Sequence, residues 1–345
     1  MSYDLLILGS SSAGVAAALE AASRGANAAV VEGGVLGGTC VNVGCVPSKA
    51  LLRAAEAFYR ARHHGFSGLK TRALEVDLEA VIRQKDALVS ALRKKYAEVL
   101  EGAGVPVIQG QARFLDGERL AVGDEVLRAE RYLIATGARP ALPPIPGLAE
   151  SQPWTYLEAL SPDRLPEHLL IIGGGPIGLE LAQAYARLGS RVSVLEALPQ
   201  ILLQEDPELA ALLRGYLEAE GLHIHTGVKV QKVERKREGY RVETDRGPFQ
   251  ADRLLVATGR RARTEGLGLE RAGVALDERG FIRVDDRLRT TNPRIYAAGD
   301  VAGLPQFVYV AARSGRVGFY KIGRDPLSRG ALQGVQKSSV SDAST

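Results

Sequence analysis

Apolar residues in this chain form two kinds of run: short unbroken stretches, and longer stretches with apolar positions every three or four residues. Leu5-Leu6-Ile7-Leu8 predicts a buried strand. An alanine-rich helical stretch follows, then a second strand, Ala28-Ala29-Val30-Val31, ending at Glu32. The same order returns later in the chain. A strand beginning at Leu169 precedes a helix, and Val192-Ser193-Val194-Leu195 ends at Glu196. Residues 50–62 and 78–101 predict amphipathic helices, the second stopped by Gly102. Tyr132-Leu133-Ile134 and Leu254-Leu255-Val256 predict two more buried strands. Short buried strands alternating with helices make the fold class α/β.

The turns between these strands and helices carry glycines at fixed places. The first turn reads Gly9-Ser10-Ser11-Ser12-Ala13-Gly14, and the second Gly173-Gly174-Gly175-Pro176-Ile177-Gly178. In both, the terminal acid stands 23 positions after the first glycine. The first glycine permits the tight turn, the middle position lets a pyrophosphate approach, and the last lets helix and strand pack closely. The helix N-terminus then offers free N–H groups and positive dipole to phosphate. Glu32 and Glu196 would each accept hydrogen bonds from a ribose. One such turn is weak evidence, but two with matching acids predict two dinucleotide sites and hence two Rossmann-like domains. Ser11 replaces the middle glycine of the first turn; its small side chain is expected to crowd the phosphates only slightly. Each half also has an Ala-Thr-Gly closing a strand: Ala135-Thr136-Gly137 and Ala257-Thr258-Gly259.

The chain has 2 cysteines, Cys40 and Cys45, in Gly37-Gly38-Thr39-Cys40-Val41-Asn42-Val43-Gly44-Cys45-Val46-Pro47-Ser48-Lys49. Pro47 fits the first turn of a helix, which puts Cys45 near the positive end, where a thiolate is stabilised. The pair reads as a redox-active dithiol placed against a cofactor. A structural disulfide or a metal pair are the alternatives. A short-loop disulfide is unusual inside cells, and a zinc site lacks two further Cys or His ligands nearby.

Composition adds little except exclusions. With 345 residues, 46% hydrophobic and 24% charged, the chain suits two or three packed domains. A net charge of +4, with basic and acidic residues interleaved, argues for no nucleic-acid partner. No apolar run approaches the roughly 18 residues a membrane span needs, so no membrane partner is expected. The N-terminus enters a strand without a basic-then-apolar signal, and a cytoplasmic location is the expectation.

The cysteine run resembles the active-site motif of the FAD-dependent pyridine nucleotide-disulfide oxidoreductases. Val41 and Val46 are more similar to its mercuric reductase branch than to its lipoamide dehydrogenase branch. The run Gln306-Phe307-Val308-Tyr309-Val310-Ala311 and the pair Lys95-Tyr96 are also similar to the mercuric branch. The resemblance implies two nucleotide-binding domains of three-layer ββα architecture. FAD would then lie at Gly9, Ser12, Ala13, Gly14 and Glu32, with Gly38, Thr39, Lys49 and Ala112. Thr136, Gly137 and Asp300 complete that set, Asp300 as the ligand of the ribityl chain; a helix cap is its plain alternative. NADH or NADPH would lie at Gly173, Gly175, Ile177, Gly178, Glu196 and Gly259. By the same resemblance Cys45 faces the flavin, Cys40 is the interchange thiol, and Lys49 pairs with Glu180. Cys40 and Cys45 would also hold the metal, with Tyr96 nearby, although a tyrosine on an amphipathic helix is more often packing. The implied substrate is Hg(II), or alternatively a small disulfide. Glu196 favours NADH because it repels a 2′-phosphate; Arg260, Arg261 and Arg263 act in the other direction.

The resemblance implies domains at 1–147 (FAD, first part), 148–265 (NAD(P)) and 266–317 (FAD and central, second part). The proline-rich run 140–147 is expected to be a stiff linker, with a second boundary at 260–268. Residues 318–345, rich in Gly, Ser, Lys and Arg, are expected to be disordered. Relatives carry a dimer-interface domain beyond this point, so the expectation is a chain without the family's interface, its cysteine pair and its partner-subunit tyrosine. The five histidines, His63, His64, His168, His223 and His225, match no His–Glu pair of disulfide-reducing relatives.

Overall fold

The computed structural model describes residues 2–71 and 74–323. In chain order the elements begin with β1 (Ser2–Leu8), α1 (Ser12–Ser23), β2 (Ala28–Glu32) and a short α2 (Gly38–Val43). Two longer helices follow, α3 (Cys45–Arg62) and α4 (Leu78–Gly102). Then come β3 (Val107–Gln109), β4 (Ala112–Phe114), β5 (Arg119–Val122), β6 (Glu125–Ile134) and β7 (Ala138–Pro140). The next stretch holds α5 (Tyr156–Ala159), β8 (His168–Ile172), α6 (Pro176–Leu188), β9 (Arg191–Glu196), α7 (Pro207–Ala219) and β10 (His223–Thr226). Strands β11 (Val230–Lys236), β12 (Gly239–Thr244) and β13 (Gly247–Ala251) precede β14 (Arg253–Val256) and β15 (Arg260–Ala262). Last are β16 (Ile295–Ala297), a 3-10 turn at Gly299–Ala302, and α8 (Val308–Gly323).

The described residues divide into two compact units: 2–42, 90–139 and 261–323, and 43–89 with 140–260. The first has one sheet in the order β3-β2-β1-β6-β5-β4, with β16 also paired to β6. β1, β2, β3, β16 and the end of β6 run parallel, whereas β4, β5 and the start of β6 are antiparallel. Helix α1 buries Ala13, Ala17, Ala18 and Ala21, all at 0% exposure, so small side chains let α1 lie close to its neighbours. On α8, a Cβ added at Gly315 would stand 2.0 Å from the Ala13 carbonyl oxygen. Gly318 likewise faces the Leu133 side chain.

Those two glycines correct one expectation. Residues 318–323 belong to α8 and are not a disordered tail. Gly315 and Gly318 do not break the helix; the first permits its close approach to α1 and the second to β6. Residues 324–345 of the expected tail lie outside the described residues.

The second unit is a three-layer stack. Its four-stranded sheet, β10-β9-β8-β14, is all parallel. Alternate residues point to opposite faces, as strand geometry requires. Leu169, Ile171, Val192, Val194 and Leu255 join the core shared with α3 and α6. Leu170, Ile172, Leu195, Leu254 and Val256 join the core under the antiparallel β11-β12-β13 sheet, with Val233, Tyr240 and Val242. That is the ββα architecture. Helix α6 starts at Pro176 and stops at Gly189, whose φ of 116° closes the helix in the left-handed region.

Two details differ from the expected layout. Residues 43–89, placed by sequence with the first nucleotide domain, pack into the second unit, where Leu51 and Ala55 of α3 enter its core. The proline-rich run is also no free linker. The Val233 N–H donates to the Pro146 carbonyl at 2.9 Å, Leu148 is fully buried, and a Cβ at Gly147 would stand 2.0 Å from the Val233 oxygen.

Candidate active site

The first glycine turn follows β1 directly. Gly9 has φ of 100°, and an added Cβ there would meet the Ala135 oxygen at 2.7 Å. A Cβ at Gly14 would stand 2.0 Å from the Gly9 oxygen. These two positions therefore accept only glycine. Ser11 caps α1: its Oγ accepts from the Gly14 N–H at 3.5 Å and donates to the Ala135 carbonyl at 2.9 Å. The side chain is used by the turn itself.

Glu32 closes this turn from β2. One carboxylate oxygen accepts from the Ser10 N–H at 2.8 Å and the Ser10 hydroxyl at 2.5 Å, and the other from the Gly34 N–H at 2.8 Å. Glu196 does the same in the second unit. It accepts from the Gly174 N–H at 2.6 Å and the Leu198 N–H at 2.8 Å. The two acids occupy equivalent places in two separately folded turns, each holding the second residue of its fingerprint and the N–H two positions on.

Around the first turn, Gly38 begins α2, and a Cβ there would lie 2.8 Å from the Ser11 Cα. The helix that carries Thr39 and Cys40 thus starts against the dinucleotide turn. Thr136 donates to the Arg263 carbonyl at 2.8 Å, and Gly137, with φ of 74°, has open space where a Cβ would be. Asp300 lies in the 3-10 turn whose Gly299 N–H donates to the buried Ser314 hydroxyl at 3.0 Å. A Cβ at Gly299 would touch the Ala13 side chain, so this turn abuts the start of α1. Ser12 Oγ is buried without a hydrogen-bond partner. A buried hydroxyl left unmatched beside a helix N-terminus suits an incoming phosphate oxygen. The residues of the first unit therefore fit a flavin dinucleotide. Ala112 is half-buried on β4, across from Val122.

The second turn is more open. Gly173 (φ 114°) lies against the Ala257 carbonyl, and a Cβ at Gly178 would stand 2.2 Å from the Gly173 oxygen. Gly175 caps α6 with no side-chain hydrogen bond, and nothing lies within 4 Å of its Cβ position. A helix N-terminus left without a side-chain cap suits a nucleotide phosphate. Ile177 is half-buried against the core, and Gly259 has open space above it. These residues fit a nicotinamide dinucleotide. Gly178→Ala is expected to cost at least ~3 kcal/mol of stability by forcing apart the turn and helix. Gly175→Ala is expected to fold normally and yet lose affinity for the nucleotide. Thermal denaturation and nucleotide titration of both variants separate the two roles.

Cys45 is the first residue of α3 and exposed; Gly44 caps that helix without a side-chain bond, and Pro47 lies in its first turn. Cys40 is half-buried on α2. One turn beyond Cys45, the Lys49 ammonium meets a Glu180 carboxylate oxygen of α6 at 2.5 Å. The pair is 58% and 41% exposed, so it contributes about 0–1 kcal/mol to stability. Lys49→Met is therefore expected to leave the melting temperature nearly unchanged. A roughly tenfold to hundredfold drop in flavin reduction rate is the expected catalytic effect if Lys49 acts on a bound cofactor. Tyr96 is half-buried and packs against the core of the first unit. Among the described residues no cluster of three or more His, Cys, Asp or Glu could hold a metal ion. No helix among them is long and apolar enough to cross a membrane.

Residues 3–315 match the pyridine nucleotide-disulphide oxidoreductase family. The mercuric reductase of Streptomyces lividans is 46% identical over 91% of this chain and 68% of its own length. That of Staphylococcus aureus is 42% identical over 91% of this chain, which spans 58% of its length. A dihydrolipoyl dehydrogenase of Thermus scotoductus is 43% identical over 91% of this chain and 69% of its own length. The HOCl-induced flavoprotein disulfide reductase RclA of Escherichia coli superposes with a TM-score of 0.85 at 33% identity, covering 94% of this chain and 72% of that one. Twin dinucleotide turns, a dithiol motif rooted at the first of them and a family match over nearly all described residues agree: the chain belongs to the pyridine nucleotide-disulphide oxidoreductase family.

Proposed function

We propose that this chain carries electrons from a reduced nicotinamide nucleotide, by way of bound FAD, to the Cys40–Cys45 dithiol and on to Hg(II). The observation that carries the reading is that Gly38, the start of the Cys40 helix, lies against Ser11 of the first dinucleotide turn. The mercury step draws on the relatives, of which the mercuric reductases of Streptomyces lividans and Staphylococcus aureus are 46% and 42% identical.

The chain's own residues have distinct tasks. The Gly9–Gly14 turn, Ser12 and Glu32 would hold the flavin dinucleotide, with Thr39, Thr136 and Asp300 along it. The Gly173–Gly178 turn and Glu196 would hold the nicotinamide nucleotide. When bound, the flavin supplies the two-electron relay between nicotinamide and dithiol. Cys45 would receive the electrons at the first residue of α3. Lys49, held by Glu180, adds a positive charge on the same helix. Cys40 and Cys45, once reduced, present two soft sulfur ligands, which select a soft metal ion such as Hg(II) over hard cations.

The second reading, reduction of a small organic disulfide, is favoured by the 43% identical dihydrolipoyl dehydrogenase. Oxidation of NADH and NADPH by the FAD-loaded chain, followed with Hg(II) and with lipoamide, decides between them. Turnover with Hg(II) and none with lipoamide supports the mercury reading. The reverse pattern supports the disulfide reading. Flavin reduction with neither acceptor turned over removes both substrates.

A further inference from the structure

The cysteine helix α2 should not be stable by itself. It has 6 residues, Gly-Thr-Cys-Val-Asn-Val, among them a glycine and three β-branched side chains. Every one of these disfavours a helix, and one and a half turns is far below the length at which isolated helices persist. Something outside the helix must hold it.

The Asn42 side chain does so. Its Oδ1 accepts from both the Nε and an Nη of Arg93, at 3.0 and 2.9 Å. Its Nδ2 faces the carbonyls of Leu36 at 2.9 Å, Gly38 at 3.0 Å and Val35 at 3.3 Å. Arginine only donates and carbonyls only accept, so the amide has one workable orientation. Arg93 therefore sets the amide, and the amide ties the loop before α2 to the end of α2. Both residues are half-buried, and Arg93 has no carboxylate partner among the described hydrogen bonds. A guanidinium placed on an amide oxygen is not chosen for ion pairing. Asn42, the residue it holds, stands between the two cysteines, which gives the clamp a different use.

We infer that Arg93 and Asn42 are positioning residues for Cys40: they hold α2 ready for disulfide exchange and so set the redox potential of the dithiol. This rests on the reading of Cys40 and Cys45 as a redox couple. A held α2 restricts the short stretch of chain that joins the two thiols and so raises their effective concentration; a loosened α2 lowers it and favours the open dithiol. The disulfide forms by loss of two electrons and two protons from the two thiols, taken up by an external disulfide such as oxidised glutathione, which becomes two thiols.

The test equilibrates the FAD-loaded chain in glutathione redox buffers and counts free thiols by alkylation and mass, without nicotinamide or mercury. Arg93→Ala and Asn42→Asp are compared with the unaltered chain. Asn42→Asp keeps an acceptor for Arg93 and turns an oxygen toward the three carbonyls, so it breaks only the loop side of the clamp. Flavin content and far-UV circular dichroism identify any variant that fails to fold. The expected result is a roughly tenfold fall in the equilibrium constant for disulfide formation in both variants, a shift of about 30 mV toward more oxidising potential. Arg93→Lys, which restores one donor, should recover part of it. An unchanged constant in folded Arg93→Ala, or a shift in the opposite direction, overturns the inference. If the unaltered chain forms no disulfide in any buffer, the redox reading of the pair fails instead.

Discussion

Cys45→Ala is expected to abolish reduction of Hg(II) or of a small disulfide, while reduction of bound flavin by the nicotinamide nucleotide persists. The fold should tolerate the change. Cys45 is exposed at the first position of α3, and alanine is the best helix former, so stability should move by under about 0.5 kcal/mol. The chemistry should not tolerate it. Alanine leaves no sulfur at this position to receive electrons. Loss of a residue that acts as part of a unit typically removes nearly all of the unit's effect, so turnover should fall roughly a thousandfold or more. The long-wavelength absorbance of a thiolate beside oxidised flavin should vanish as well. Cys40→Ala should lose turnover but keep that absorbance. Stopped-flow flavin reduction beside steady-state turnover separates the steps. Turnover by Cys45→Ala within tenfold of the unaltered chain would show that electrons leave by another route.

The second large effect concerns nucleotide choice. Glu196 is fully engaged by the Gly174 and Leu198 N–H groups, so its carboxylate is held in place and cannot swing away from a ligand. A 2′-phosphate brought to that strand end meets a fixed negative charge. At 4 Å and an effective dielectric constant near 20, a pair of like unit charges costs up to about 4 kcal/mol, which solvent at this half-buried acid reduces to about 1–3 kcal/mol. NADH should therefore be preferred to NADPH. Glu196→Gln removes the charge while keeping one acceptor oxygen. It should narrow the NADH preference by roughly ten- to a hundredfold and cost ~1 kcal/mol of stability through the bond lost at Leu198. Ratios of kcat/KM, or of flavin reduction rates, for the two nucleotides measure it. Equal use of both by the unaltered chain would mean that the phosphate never reaches Glu196.

Several parts of this protein were decided within short stretches of sequence. A buried strand, a glycine turn and an alanine-rich helix need only neighbouring residues, so both glycine turns and their acids at a spacing of 23 positions could be read directly. The start of α3 could also be read, because Pro47 and the glycine before Cys45 act locally. The pairing of Lys49 with Glu180 was legible only through family resemblance, since 131 positions separate them.

Other features depended on partners far along the chain. Nothing local marks α2 as a helix; Arg93, 51 positions away, supplies through Asn42 what its own residues lack. Ser11 read as a slightly crowding replacement for glycine; the structure shows it capping α1 through the Gly14 N–H, with its hydroxyl donating to the Ala135 carbonyl at 2.9 Å, 124 positions away. Gly318 read as the start of a disordered tail, and became part of the contact surface of α8 because the Leu133 side chain of β6 lies where a Cβ would stand. Residues 43–89 left the unit that precedes them in sequence because the apolar face of α3 is buried with α6. Turn chemistry and hydrophobic period act over a few residues, and the sequence by itself determined whatever they control. Helices too short to stand alone, and glycines whose meaning depends on what faces them, were decided by tertiary packing, because the atoms that stabilise them belong to distant segments.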